Sequence, residues 1–206
     1  MDYHAHFPHP AGGYLCAARR GDWENVAAAE GMIPCFGVHP WYVAETSADD
    51  LRRDLDRWLA ACPCAQVGES GLDGKKALRD GWEVQMRLLD VHADAAMRHD
   101  RLLQLHGAGA AGRLLDWARQ RAQSGLLPRV HLHAWNGSPE TAVSWLRLGA
   151  TFSAGVREWL SPKAARRYAA LPKDCLFPES DDDPSTWLES LRLWEACRTA
   201  DSKASS

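Results

Sequence analysis

Apolar residues fall along the chain in two alternating patterns: short β-like runs, and longer stretches in which they recur every three or four positions. The first pattern marks strands and the second amphipathic helices, and their alternation predicts an α/β fold with parallel strands. Strands are expected over residues 2–6, 14–18, 33–38, 65–69, 101–106, 129–133, 151–154 and 175–178. Helices are expected over 23–30, from Ser47 onward, over 82–97, over 112–123, from Ser138-Pro139 to about Leu148, from Ser161-Pro162 onward, and over 185–197. Ser47 has the chemistry of an N-cap, with Leu51, Leu55, Trp58 and Leu59 on one face behind it. Pro139 suits the first turn of its helix. The stretch after Glu69 reads as a glycine-rich loop. Eight strand–helix units are the number that closes a TIM-type (β/α)8 barrel. The 206 residues fall short of the ~250 typical of that fold, so helices and loops must be short. No linker divides the chain, which predicts one domain over residues 1–199 and a disordered tail over 200–206.

Charge narrows the function. With 24 Lys+Arg against 27 Asp+Glu, the net charge is −3, which excludes a basic surface that grips a long duplex. A local phosphate contact then needs positive charge from elsewhere, such as a bound metal. The six cysteines form no CxxC pair, and Cys62 and Cys64 straddle Pro63; they read as thiols in a reducing compartment. Met1-Asp2-Tyr3-His4 has neither the basic nor the apolar region of a signal peptide. No apolar run reaches the ~20 residues of a membrane span. A cytoplasmic protein, monomeric and without membrane contact, is expected.

The chemistry lies in where histidines and carboxylates fall. His4 and His6 are two apart on the first strand and share a face with Asp2. Glu69 ends the fourth expected strand, His106 the fifth and His133 the sixth, and Asp181 follows the eighth. Barrel enzymes place their chemistry at that C-terminal face. A lone histidine at a strand end is more often structural, and Asp181 alone, within Asp181-Asp182-Asp183, would pass for a solvated loop. Converging together, four histidines and two carboxylates make a ligand set for divalent metal, and a carboxylate can bridge two ions.

At these residues the sequence resembles the TatD family of metal-dependent hydrolases, in particular its short bacterial branch. The resemblance runs in order through Asp2-Tyr3-His4-Ala5-His6, Gly37-Val38-His39-Pro40-Trp41, Val67-Gly68-Glu69-Ser70-Gly71-Leu72-Asp73, Leu105-His106, His133-Ala134-Trp135-Asn136-Gly137-Ser138 and Glu179-Ser180-Asp181. It implies two divalent ions (Zn, Mg or Mn), one held by His4, His6, Glu69 and Asp181, the other by Glu69, His106 and His133. His131 shares the face of His133 and is a rival ligand. The Trp-x-Gly-Ser after His133 fits the family motif and leaves His131 one layer deeper. Asp181 is the expected general base, beside Glu69 as the bridging carboxylate. His39 is expected on the substrate phosphate, Trp41 and Trp135 against a base or sugar, and Asp2, Asp73 and Glu179 as groups that orient ligands or loops.

The implied activity is phosphate-ester hydrolysis, as a deoxyribonuclease or phosphodiesterase acting on DNA ends, nucleotides or small phosphoesters. Ala108 departs from the family by replacing a common arginine; Ala134 and Ser180 replace a cysteine and a threonine. Two other readings compete. Related metal barrels act on amides or imines, but they bridge with a lysine where this chain offers Glu69, and Lys75 and Lys76 lie too far along. A non-catalytic metal-binding protein is the other.

Overall fold

The computed structural model describes residues 1–169 and 171–200; past Ala200 the expected tail lies outside the described residues. Eight strands form one parallel sheet in chain order: β1 (Asp2–Ala5), β2 (Gly13–Cys16), β3 (Met32–Phe36), β4 (Gln66–Gly71), β5 (Leu103–His106), β6 (Val130–Leu132), β7 (Thr151–Ala154) and β8 (Leu176–Pro178). The helices are α1 (Trp23–Ala28), α2 (Ala48–Ala61), α3 (Gly74–Asp80), α4 (Glu83–Arg98), α5 (Ala111–Gln123), α6 (Pro139–Leu146), α7 (Val156–Trp159), α8 (Ala164–Tyr168) and α9 (Trp187–Ala200). This is the expected TIM-type barrel. Among the described residues, no helix is long and apolar enough to cross a membrane.

Local chemistry explains most elements. Ser47 Oγ accepts from the Asp50 amide at 3.1 Å and starts α2, whose Leu51, Leu55 and Leu59 are buried against the sheet. Ser138 caps α6 in the same way through the Thr141 amide, at 3.2 Å. Two helices depart from expectation. Asp73 accepts from the Lys76 amide at 2.8 Å and starts α3 inside the supposed loop. The helix expected from Ser161-Pro162 forms, but an unforeseen α7 precedes it, because Trp159 Nε1 reaches back to the Ala154 carbonyl at 2.8 Å and turns the chain into a helix directly after β7. Helix α8 then begins at Ala164.

The barrel closes in an uneven way. Between β8 and β1 there is a single parallel bridge, Ala5 opposite Asp181. It is carried by Asp181 N to His4 O and His6 N to Asp181 O, each 2.9 Å. Asp2 reinforces the seam. Its Oδ1 accepts from the amides of His4 (3.1 Å) and Ser180 (3.2 Å), and its Oδ2 accepts from Ser180 Oγ at 2.6 Å. The same seam residues carry His4, His6 and Asp181, so closure and ligand placement are one structural event.

Gly71 is fixed by the approach of β4 to β5. Its φ is +146°, and an added Cβ would lie 2.1 Å from the His106 carbonyl oxygen. Gly71→Ala is expected to destabilise the fold by about 2 kcal/mol or more, read by urea unfolding, and to shift His106 with it. An unchanged midpoint would show that the two strands can separate freely there.

Candidate metal centre

Glu69 lies inside β4, two residues before its end, and is buried at the centre of the barrel mouth. Its two oxygens face different partners. Oε2 is 3.1 Å from His6 Nε2 and 3.6 Å from His4 Nε2. Oε1 is 2.6 Å from His133 Nε2 and 2.9 Å from His106 Nδ1. Asp181 Oδ1 closes the first half, 3.8 Å from His6 Nε2 and 3.9 Å from His4 Nε2. His133 lies one residue past β6 and Asp181 three past β8, so all six residues meet at the C-terminal ends of the strands.

The histidines are oriented from behind. His4 Nδ1 is 3.3 Å from Gln104 Oε1, and Gln104 Nε2 donates to the Tyr3 carbonyl. His6 Nδ1 donates to the Cys16 carbonyl at 2.8 Å. His106 Nε2 is 3.2 Å from Asp73 Oδ2, which also accepts from Trp41 Nε1 at 2.9 Å. In each case the other ring nitrogen is left for the centre. His131 differs. Its Nδ1 meets Thr151 Oγ1 at 2.8 Å and its Nε2 meets Ser153 Oγ at 2.7 Å, and Ser153 in turn donates to Glu179. With both nitrogens engaged, His131 has none to offer a metal. Glu179 is buried and accepts from the Ala134 amide at 2.8 Å, fixing the turn that follows His133.

His39 stands on the same side as His106, its Nε2 3.3 Å from His106 Nδ1 and 3.6 Å from Glu69 Oε1. The Trp41 amide donates to His39 Nδ1 at 3.1 Å, which assigns the ring proton to Nε2. Trp41 is 53 % exposed at the rim, whereas Trp135 is 4 % exposed and packs on Phe152. Both line a cavity of about 690 Å³ that opens over the centre. Trp135 therefore forms wall, with little face to offer a stacked base.

Among the described residues, three buried atoms of the cluster lack a well-aligned hydrogen-bond partner: His4 Nε2, Glu69 Oε2 and His133 Nδ1. Buried polar atoms left unpaired are costly, and a cation would satisfy them. Three groups of ligand atoms could each hold an ion: His4 with His6 and Glu69; His4 with His133 and Asp181; and His39 with Glu69 and His106. Imidazole and carboxylate donors fit divalent metal.

Protonation shows the same pull. Burial works against a charged His6, but Glu69 and Asp181 outweigh it and lift its pKa to about 9. Burial likewise opposes a charged His106, yet Asp73 and Glu69 raise it to about 9. Burial holds His39 at about 4; burial and then His133 do the same for His4. Without metal, His6 and His106 each hold an extra proton at pH 7. Metal loading must expel them, so affinity is expected to rise with pH and level off above about 9. Calorimetry at pH 7 in buffers of different ionisation enthalpy should read about two protons released per chain. Heats independent of buffer would contradict this.

Several supporting residues were not foreseen from sequence. Gln104, Cys16 and Ser153 orient the imidazoles or the carboxylate behind them. Gln85 Oε1 accepts from the Asp73 amide at 2.8 Å. His92, fully buried in α4, bonds the Leu88 carbonyl through Nδ1 and accepts from the Val38 amide at 3.0 Å, holding the loop that carries His39. Polar residues at apolar helix positions (Gln85, His92) were the available signal.

A parallel (β/α)8 barrel with a histidine–carboxylate cluster at its C-terminal mouth has the architecture of the barrel hydrolases. The family described as TatD related DNase matches residues 19–192, and the chain belongs to it. That match begins after His4 and His6, so their part in the cluster rests on the geometry above. The mouse protein "Putative deoxyribonuclease TATDN3" is 28% identical over 181 residues, 81% of this chain and 58% of that protein. The chain thus spans a little over half the length of that relative. Among solved structures, YJJV, a TatD homologue of Escherichia coli K12, superposes with a TM-score of 0.81 at 21% identity, covering 95% of this chain and 89% of that one. A TatD family hydrolase from Entamoeba histolytica gives 0.64 at 15% identity, covering 84% and 60%. At such identities these two structures establish the fold.

Proposed function

We propose that the chain is a divalent-metal-dependent hydrolase of phosphate esters, a deoxyribonuclease or phosphodiesterase acting on DNA ends, nucleotides or small phosphoesters. The observation that carries this reading is Glu69, a buried carboxylate with each oxygen facing its own pair of imidazoles. In this reading His4, His6, Glu69 and Asp181 hold one ion, and Glu69, His106 and His133 the other. Two such ions supply Lewis-acid polarisation of a phosphoryl oxygen and a water of lowered pKa. Of zinc, manganese and magnesium, zinc suits the imidazoles best, manganese accepts the carboxylates, and magnesium, which takes oxygen ligands, fits the set least.

The chain's own groups do the rest. Asp181 is the general base. Burial opposes its charge, but His133 and His4 keep its pKa low, so it is ionised and able to accept the proton of the attacking water. Neutral His39 donates from Nε2 to a non-bridging oxygen of the phosphate. Asp73 holds His106 and the Trp41 indole together, which fixes that side of the mouth. Trp41 offers a broad exposed aromatic face in the cavity lining, to a base or sugar. The wider setting we propose is a single-domain, monomeric protein of the cytoplasm.

The test is hydrolysis of bis(p-nitrophenyl) phosphate by chelator-stripped and metal-reconstituted protein, beside a small cyclic amide. The reading requires metal-restored turnover of the phosphodiester. Turnover of the amide alone would move the chain to amide chemistry, and bound metal without either turnover would leave a binding protein.

A further inference from the structure

Among the charged side chains of the cavity wall, carboxylates outnumber cations. Its lining includes the carboxylates Asp22, Glu69, Asp73, Asp181 and Asp182. Apart from histidines, its only cations among the described residues are Lys75 and Arg157. The loop after β5, Gly107-Ala108-Gly109-Ala110, brings no charge to the wall. Lys75 is the second residue of α3, which follows β4; Arg157 is the second of α7, which follows β7. They are three positions apart in a ring of eight strands, with β5 and β6 between them on the shorter way round, so they stand nearly across the mouth from one another.

Both side chains are exposed, that of Arg157 by 79 %. Arg157 Nε donates to Glu158 Oε1 at 2.7 Å. Glu158 is itself buried and tied to the Gly155 amide through Oε2, at 3.3 Å. This tether fixes the guanidinium by one edge and leaves both Nη groups available for a bidentate anion contact. Lys75 makes no hydrogen bond or ion pair among the described residues, although Asp73 lies two positions away. A phosphate at the centre is met by the metal ions and His39. A second phosphate, further out over an acidic wall, needs cations of its own.

We infer that Lys75 and Arg157 are specificity residues that hold a second phosphate group, adjacent to the one cleaved, from opposite sides of the mouth. The substrate class is then an ester with at least two phosphates, such as the end of a nucleic-acid strand, in preference to a lone phosphodiester. The inference rests on the phosphoester reading above.

The test pairs binding with turnover for Lys75→Met and Arg157→Met in the metal-loaded protein. The ligand is 5′-phosphorylated trithymidylate; the comparison ester is bis(p-nitrophenyl) phosphate, with one phosphate. Each variant is expected to weaken trithymidylate binding about tenfold, to lower its salt dependence, and to raise KM with little change in kcat. The loss in kcat/KM on trithymidylate should exceed that on the single-phosphate ester at least about fivefold. Equal losses on both, no loss on either, or wild-type protein that fails to bind trithymidylate would each overturn the inference. Wild-type protein that binds trithymidylate yet cleaves neither ester would sink the phosphoester reading, while the binding comparison still decides the role of the two cations.

Discussion

Glu69→Ala is expected to abolish turnover and to empty both metal positions. The carboxylate is shared between His4 and His6 on one oxygen and His106 and His133 on the other. Removing it deletes a ligand from each half and leaves Asp181, beside His4 and His6, to face the imidazoles without the central carboxylate. Electrostatic groups of this kind are worth about 10²–10³ in rate when one donor is lost, and a shared ligand should exceed that. His133→Ala is the contrast, because it touches one oxygen only; metal content should fall by about half. Elemental analysis of both variants after identical reconstitution reads the difference. Full occupancy in Glu69→Ala would remove the bridging assignment.

Asp2 gives the second large effect, and it divides by substituent. Asp2→Ala leaves the amides of His4 and Ser180 and the Ser180 hydroxyl without their acceptor at the barrel seam. The expected loss is about 3–5 kcal/mol in urea unfolding, with weaker metal binding because His4 and Asp181 sit on the loosened bridge. Asp2→Asn should stay within about 1 kcal/mol of wild type. Its Oδ1 can take both amides while its Nδ2 donates to Ser180 Oγ.

The pH dependence separates wild type from both variants. Burial raises the Asp2 pKa against the pull of its hydrogen bonds, so folding favours the protonated carboxyl. That contribution is complete below the ordinary carboxylate range and is lost as pH rises through the raised value. Neither alanine nor asparagine has such a slope, so the stability of each variant relative to wild type should rise with pH. A cost for Asp2→Asn equal to that for Asp2→Ala would show that the charge, and not the acceptor, holds the seam.

The eight strands were legible because most are short runs of β-forming residues closed by turn residues, and even the weak β2 forms. Alternation along β1 placed Asp2, His4 and His6 on one inward face. It could not show that β8 and β1 share only one bridge, so Asp2 read as a group orienting ligands when it also closes the barrel. Helix α3 was hidden by its glycines, since the side chain that caps it, Asp73, is also bound to His106 and Trp41. Helix α7 was hidden because its anchor, the Trp159 indole on a strand carbonyl, leaves no mark in periodicity. The cluster itself was legible from position: strand ends in a parallel barrel converge whatever their spacing in sequence. The residues behind it (Gln104, Ser153, His92) were not, because a buried polar side chain declares its partner only in three dimensions. Trp135 was expected to be available to a ligand and is instead almost wholly packed.

The most direct measurement is a titration of metal-stripped protein with zinc or manganese, following phosphodiester turnover against equivalents added. The proposed two-ion centre on Glu69 predicts little turnover at the first equivalent and a plateau at about two per chain, lost again with chelator. Turnover that plateaus at one equivalent, or that survives complete removal of metal, would contradict it.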